Sequence, residues 1–185
     1  IIYDNLDGKS VSQGISANVD IAFPNSFKIM AGFTWQDVSN TENGVTQQQI
    51  LTESITATWN LSYTFHSLKL TADYTGNLYG PMRLPLLGEL DPRRDYSPTW
   101  SIQNIQFTYK GLNNFEVYGG IKNLLDWTPN RGNPFIIARA NDPFDKEVTF
   151  DGSGNAVATP NNPYALTFDP AYVYGPNQGI RGFFG

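Results

Sequence analysis

Apolar and polar residues alternate with a period of two over most of the chain, the pattern of half-exposed β-strands. Between residues 11 and 23, Val11, Ile15, Ala17, Val19, Ile21 and Phe23 share one face, and Ser12, Gly14, Ser16, Asn18 and Asp20 share the other. Pro24-Asn25 marks a turn. Phe27, Ile29, Ala31, Phe33 and Trp35 then alternate with Lys28, Met30, Gly32, Thr34 and Gln36. After a polar loop, SNTENGVTQQQ, a third strand sets Ile55, Ala57, Trp59, Leu61, Tyr63 and Phe65 against Ser54, Thr56, Thr58, Asn60, Ser62 and Thr64. His66-Ser67 turns the chain into a fourth strand, with Leu68, Leu70, Ala72 and Tyr74 opposite Lys69, Thr71, Asp73 and Thr75. A Pro-rich loop, 80–98, leads to a fifth strand. Its apolar positions change phase between Trp100/Ile102 and Ile105/Phe107/Tyr109, which predicts a β-bulge. Gly111–Asn114 turn into a sixth strand carrying Phe115, Val117, Gly119 and Ile121. After the tract 124–178, residues 180–185 begin a seventh strand.

These runs are about twice the roughly 5–6 residues usual in globular strands, and they match the ~9–11 of a tilted strand crossing a bilayer. The connections alternate without exception. Short turns stand at 24–25, 66–67 and 111–114, and long loops at 39–52, 80–98 and 124–178. Outer-membrane barrels have this asymmetry, with short periplasmic turns and long extracellular loops. Phe23, Phe27, Phe65, Phe107, Tyr109 and Phe115 gather at the short-turn ends and Trp35, Tyr79 and Trp100 at the opposite ends, as interfacial girdles do. The sequence therefore predicts an all-β fold, an antiparallel transmembrane β-barrel segment of about seven long strands. A soluble β-sandwich or lipocalin-like barrel would turn the same apolar face inward. A complete eight-stranded membrane barrel is the other alternative, but seven strands suit it poorly, because bacterial single-chain barrels use even numbers.

Composition agrees. Only 16 % of the 185 residues are charged, against roughly 25 % in soluble domains, while aromatics reach 14 %. The net charge of -5 argues against a nucleic-acid partner, whose phosphates demand a basic surface. There is no Cys and a single His, His66, which rules out a thiolate or multi-His metal site built from this chain. No apolar run approaches the ~18 residues of a membrane helix, and the start shows no secretory signal. The chain opens in mid-pattern without Met and reads as a piece of a longer protein.

The stretch VYGGIKNLLDW, 117–127, resembles the Lys-Asn-Leu-Phe-Asp motif near the C-terminus of TonB-dependent outer-membrane receptors, with Leu125 where Phe is commoner. The closing FDPAYVYGPNQGIRGFFG and the segment GPMRLPLLGELDPRRDYSPTWSIQN are similar to the Bacteroidetes branch of that family. The resemblance spans essentially residues 1–185. It implies the C-terminal wall of a 22-stranded barrel in the outer membrane of a Gram-negative bacterium. The plug domain and N-terminal strands lie outside the chain, and the last strand is truncated. The implied function is import of a scarce nutrient, siderophore-iron or cobalamin first, with glycan or peptide import as a variant. The implied partners are outer-membrane lipid, the remaining barrel and plug, TonB acting through that plug, and a small nutrient ligand. A surface lipoprotein stays open as a further one. No cofactor, resident metal or catalytic group is implied. A non-transporting binding or structural barrel is the second reading. A barrel enzyme is a third, weakened by His66 standing in a turn at the end opposite the loops.

Ligand contacts are sought in the long loops. Arg93, Arg94, Asp95 and Tyr96 follow the fourth strand, where guanidinium forks suit carboxylate, phosphate or chelate oxygens. The competing reading pairs Asp91, Arg93, Arg94 and Asp95 among themselves. Trp127, Arg131, Phe135 and Arg139 stand in the last loop. Asp142, Asp145 and Asp151 lack EF-hand spacing, and VTFDGSGNAVAT reads as a hairpin rather than a calcium site. Asn133-Pro134, Asp142-Pro143, Asn162-Pro163 and Asp169-Pro170 punctuate a folded loop. Trp59 and Tyr74 are expected on the lipid face. Asp20, Asp73, Glu116 and Lys122 are expected on the polar face, toward a plug or toward one another.

Overall fold

A computed structural model describes residues 8–85, 94–129, 148–165, 175–176 and 178–185. The strands are β1 (Gly8–Ala22), β2 (Phe27–Glu42), β3 (Val45–Gln48), β4 (Ile55–Phe65), β5 (Leu70–Tyr79), β6 (Trp100–Leu112), β7 (Phe115–Lys122), β8 (Thr149–Phe150), β9 (Ala156–Val157) and β10 (Arg181–Phe184). The chain is all-β. Eight strands form one antiparallel sheet in the order β1-β2-β4-β5-β6-β7-β10, with β3 paired to β2, and β8 and β9 form a separate hairpin. No helix among the described residues is long and apolar enough to cross a membrane, which says nothing about crossing by strands.

Two compact units divide the chain. One comprises Ile1–Arg83, Pro98–Trp127 and Gln178–Gly185 and holds the large sheet. The other comprises Leu84–Ser97 and Thr128–Asn177 and holds the β8–β9 hairpin.

Cross-strand register carries the alternation through the whole sheet, because paired residues share a face. Ile15↔Trp35↔Ile55, Ala17↔Phe33↔Ala57↔Leu78 and Tyr63↔Ala72↔Phe107 run across the apolar face. On the other face lie Ser16↔Thr34↔Thr56 and Thr64↔Thr71↔Thr108. Hydroxyls bond along those polar rows, Ser16 to Thr34 at 2.9 Å and Thr64 to Thr71 at 3.2 Å. Trp59 and Tyr74 do sit on the apolar face, and the Trp59 ring lies over Gly76, where a Cβ would stand 2.1 Å from it. The bare glycine strand position is thus filled by a neighbouring indole.

The sheet lacks the core of a globular domain. Buried apolar side chains among the described residues are Met82, Leu84, Trp100 and Pro129. Along β1 all fifteen residues are exposed, so both of its faces are open. Ile15 is 69 % exposed and Phe33 48 %, although both lie on the apolar face.

Three expectations are corrected. The polar loop expected over 39–52 is largely strand: β2 runs on to Glu42, reverses at Asn43 and Gly44, both at positive φ (49° and 76°), and returns as β3. Two positive-φ residues suit the right-handed twist of a two-residue hairpin. The bulge expected between Ile102 and Ile105 is absent. Register is unbroken from Leu70↔Tyr109 to Tyr79↔Trp100, and the irregularity falls instead between Tyr109 and Leu112. Unbroken register puts Trp100, Ile102 and Tyr79 on the polar face. Those residues therefore do not join Trp35 in an outward girdle at that end.

Candidate functional site

The ends of the strands are organised differently. At the short-turn end, Ser26 (φ 64°) reverses the chain between β1 and β2, and Lys69 (φ 48°) ends a 3-10 turn between β4 and β5. His66, exposed in its turn, hydrogen-bonds through Nε2 to Ser26 Oγ of the neighbouring turn. Backbone bonds add to this, Thr64 N–H donating to Ser26 O at 3.2 Å and Lys110 N–H to Lys69 O at 2.8 Å. The Ser-His pair faces solvent, and no carboxylate among the described residues completes it.

At the loop end the chain leaves β7 through Asn123, which is buried and left-handed (φ 52°). Asparagine tolerates this conformation better than other non-glycine residues. Its side chain is fully employed. Nδ2 donates to Trp127 O at 2.7 Å and to Gln178 O at 3.0 Å, while Oδ1 accepts from Trp127 N–H at 3.0 Å. Its own N–H donates to Asn104 Oδ1 at 3.0 Å on the neighbouring β6. Asp126, also left-handed (φ 50°), accepts Ile180 N–H through Oδ1 at 2.8 Å. The Asn and Asp of the Asn-Leu-Leu-Asp stretch thus fasten both feet of the long tract, its departure at 123–127 and its return at 178–180. Leu124 and Leu125 between them are exposed.

Trp127, held at both its N–H and its C=O, stacks on Trp100 with centroids 4.4 Å apart and planes 9° apart. Trp100 in turn stacks on Tyr79 at 4.1 Å and 20°. The three rings form a column that starts on the polar face of β5 and β6. Each contact contributes about 0.5–1.5 kcal/mol beyond area burial. Trp100 Nε1 is buried without a hydrogen-bond acceptor among the described residues. The phase change at Ile102/Ile105 was the trace of this column in the sequence: an aromatic on a polar face stacks inward on its neighbours.

No family model, no curated protein and no solved structure matches this chain.

Of the loop residues expected to meet ligand, Trp127 belongs to the sheet unit and takes its place in the column. Arg94, Asp95 and Tyr96 belong to the second unit and are exposed. Asp95 O accepts Leu84 N–H at 2.8 Å, and neither the Arg94 guanidinium nor the Asp95 carboxylate has an ion-pair partner among the described residues. Asp91, Arg93, Arg131, Phe135 and Arg139 lie outside the described residues, as do Asp142, Asp145 and the turns at 133–134 and 169–170. Asp151 is a turn residue. Its Oδ1 accepts Ser153 N–H and Asn155 N–H, each at 2.9 Å, and the turn closes the β8–β9 hairpin. Bonds from the Asn155 backbone and side chain hold its carboxyl below the usual value. No group of His, Asp and Glu able to hold a metal occurs among the described residues. Glu116 pairs with Lys110 at 2.9 Å, and Lys122 lies over the Phe183 ring at 5.2 Å. Asp20 and Asp73 stand on the polar face opposite Met30 and Ser62.

Proposed function

We propose that this chain is part of the wall of an outer-membrane β-barrel transporter of the TonB-dependent receptor type, importing a scarce nutrient through a lumen lined by its polar face. The observation that carries the reading is the sheet's pair of unlike open faces. One exposes Ile, Val, Phe, Trp and Leu in continuous cross-strand rows, and the other exposes small hydrogen-bonded polar residues. An apolar face of this extent left in water is a large liability, since burial is worth about 25 cal/mol per Å². A lipid phase relieves it with no second protein layer.

Its height fits. The apolar positions of β4 run from Ile55 to Phe65, eleven residues. That is ~33 Å along the strand and ~25 Å after a tilt of about 40°, the height of the outward apolar band of such barrels. Above Ile15 and Trp35 the same face turns polar, where Gln13 Nε2 donates to Asp37 Oδ2 at 3.4 Å. The short tied turns at one end and the fastened feet of the long tract at the other support reading the first as a periplasmic rim and the second as the base of extracellular loops. The Asn-Leu-Leu-Asp stretch supports the receptor family in particular, because its Asn and Asp hold the feet of the longest loop.

Cell fractionation tests this with an antibody against the loop 148–165. A band several times larger than 20.6 kDa, in the outer membrane and heat-modifiable, is expected. A band in the soluble fraction overturns the lipid-facing assignment.

A further inference from the structure

The β2–β3 hairpin rises beyond the apolar band, and a cavity of ≈ 470 Å³ lies against it. Register puts Asn40↔Gln47 and Glu42↔Val45 on the polar face of the hairpin, continuous with the Ser/Thr rows below. Gln49 follows Gln47 on that face, and the segment 82–83 closes the side. Ile50 bridges Arg83, Leu51 N–H donates to Arg83 O at 2.8 Å, and Glu53 bridges Met82. The wall is built before any ligand arrives. Asn40 Nδ2 donates to Gln49 Oε1, and Gln48 Nε2 donates to Ser54 Oγ at 2.8 Å. Arg83 uses Nη1 on Gln48 O at 3.2 Å, which points its guanidinium along the hairpin edge.

The lining chemistry is specific. Carboxamides dominate, each offering two donors and an acceptor. One guanidinium and one carboxylate, Arg83 and Glu42, leave the cavity without net charge. No aromatic ring is found among the described lining residues. A ferric chelate or an acidic ligand finds no cationic cluster here, and a flat aromatic finds no stacking partner. A neutral ligand dense in hydroxyls matches alternating amide donors and acceptors, and a guanidinium spans two adjacent hydroxyls with its fork.

We infer that this cavity is a binding subsite for a neutral saccharide, with Asn40, Gln47, Gln49 and Arg83 as its hydrogen-bonding residues. The inference rests on the transporter reading, since it supposes that the polar face lines the entry path.

The test uses the full-length receptor purified from the outer membrane. Calorimetry is run with maltohexaose, xylohexaose and mannohexaose as neutral probes, and with hexagalacturonate and ferrichrome as acidic and chelate probes. At least one neutral hexasaccharide is expected to bind. Gln47→Ala and Arg83→Gln should each weaken it about tenfold, because each leaves ligand hydroxyls without partners. Thr46→Ala, on the opposite face of the same hairpin, should leave affinity within about twofold, which controls for hairpin integrity. Binding of the acidic or chelate probe alone, of no probe, or of a saccharide indifferent to both variants overturns the inference. Heat-modifiable migration from the outer membrane is scored on the same preparations. Failure to bind with barrel migration intact refutes the saccharide subsite only, and loss of barrel migration in the wild type refutes the transporter reading beneath it.

Discussion

Replacing Asn123 by Ala removes three side-chain hydrogen bonds at once and puts a β-carbon residue without a local partner into the left-handed region. The bonds run to Trp127 O at 2.7 Å, to Gln178 O at 3.0 Å and from Trp127 N–H at 3.0 Å. At about 1 kcal/mol net each, they amount to ~3 kcal/mol, and Asn123 is buried, so the orphaned groups lack an easy replacement. The left-handed backbone (φ 52°) adds about 1 kcal/mol for Ala. The loss of ~4 kcal/mol is local, at the feet of the 124–178 tract, and native-state hydrogen exchange reads it there. Protection of the Trp127 amide should fall by at least about 100-fold, since 1.4 kcal/mol is a factor of ten. Asn123→Gly keeps the backbone freedom and should lose about fivefold less than Ala, the equivalent of that ~1 kcal/mol. Asn123→Asp keeps an acceptor for Trp127 N–H but turns an oxygen toward two carbonyls, and should be no better than Ala. The exciton signal of the parallel Trp100–Trp127 pair in circular dichroism should fade in the same order, because Trp127 is held by the same bonds. Protection of the Trp127 amide within about threefold of wild type in Asn123→Ala would refute the fastening role.

Ala57→Arg, on the apolar face, should block outer-membrane assembly at a cost of about 2–4 kcal/mol, while Thr58→Arg on the polar face is tolerated; equal abundance of both in membrane fractions sinks the lipid-facing assignment. Changing Arg93 and Arg94 together to Ala should weaken uptake at normal receptor abundance if they meet ligand, whereas lost abundance assigns them to loop structure. The Asp151 carboxyl is held below its ordinary value of 3.8 by bonds from Asn155, Ser153 and Gly154. Its ionised form therefore supports the β8–β9 turn above that pH, and the support is lost as the pH falls through the depressed value. Amide exchange at Ser153 and Asn155 should rise at the acid end in the wild type, and Asp151→Ala should abolish that dependence.

The strands were legible because alternation survives wherever one face is apolar and the other polar, and seven of the eight sheet strands announce themselves that way. The eighth, β3, does not. Val45-Thr46-Gln47-Gln48 has no apolar face, since Val45 shares its face with Gln47, and only Asn43-Gly44 signalled a hairpin. The phase change at Ile102 was visible but misleading. Two causes break alternation in a strand, an inserted residue or an apolar side chain on the polar face, and the stacking of Tyr79, Trp100 and Trp127 selects the second. The importance of Asn123 and Asp126 was legible only through a resemblance. Their physical roles were not, because Asn123 bonds to Gln178, 55 positions along the chain, and no local pattern announces such a partner. The side groove at Arg83 stayed hidden for the same reason: its members come from two segments joined by isolated bridges.

The two ends of the sheet solve the same chain-reversal problem with opposite consequences. Left-handed residues sit at both: Ser26, Lys69 and Asn114 in the short turns, and Asn43, Asn123 and Asp126 at the loop end. In the short turns the bonds run from one turn to its neighbour, Ser26 to His66 and Lys69 O to Lys110 N–H, so adjacent hairpins brace one another. At the loop end some bonds run from a strand into the connection that follows it, and others join two connections, Leu51 N–H donating to Arg83 O at 2.8 Å. Gln36 Nε2 reaches Glu53 O at 2.9 Å and Asn123 reaches Trp127 and Gln178. A rim braced turn to turn cannot move one hairpin without its neighbour. The polar groove and the aromatic column both stand at the loop end, on the face that the Ser and Thr rows continue.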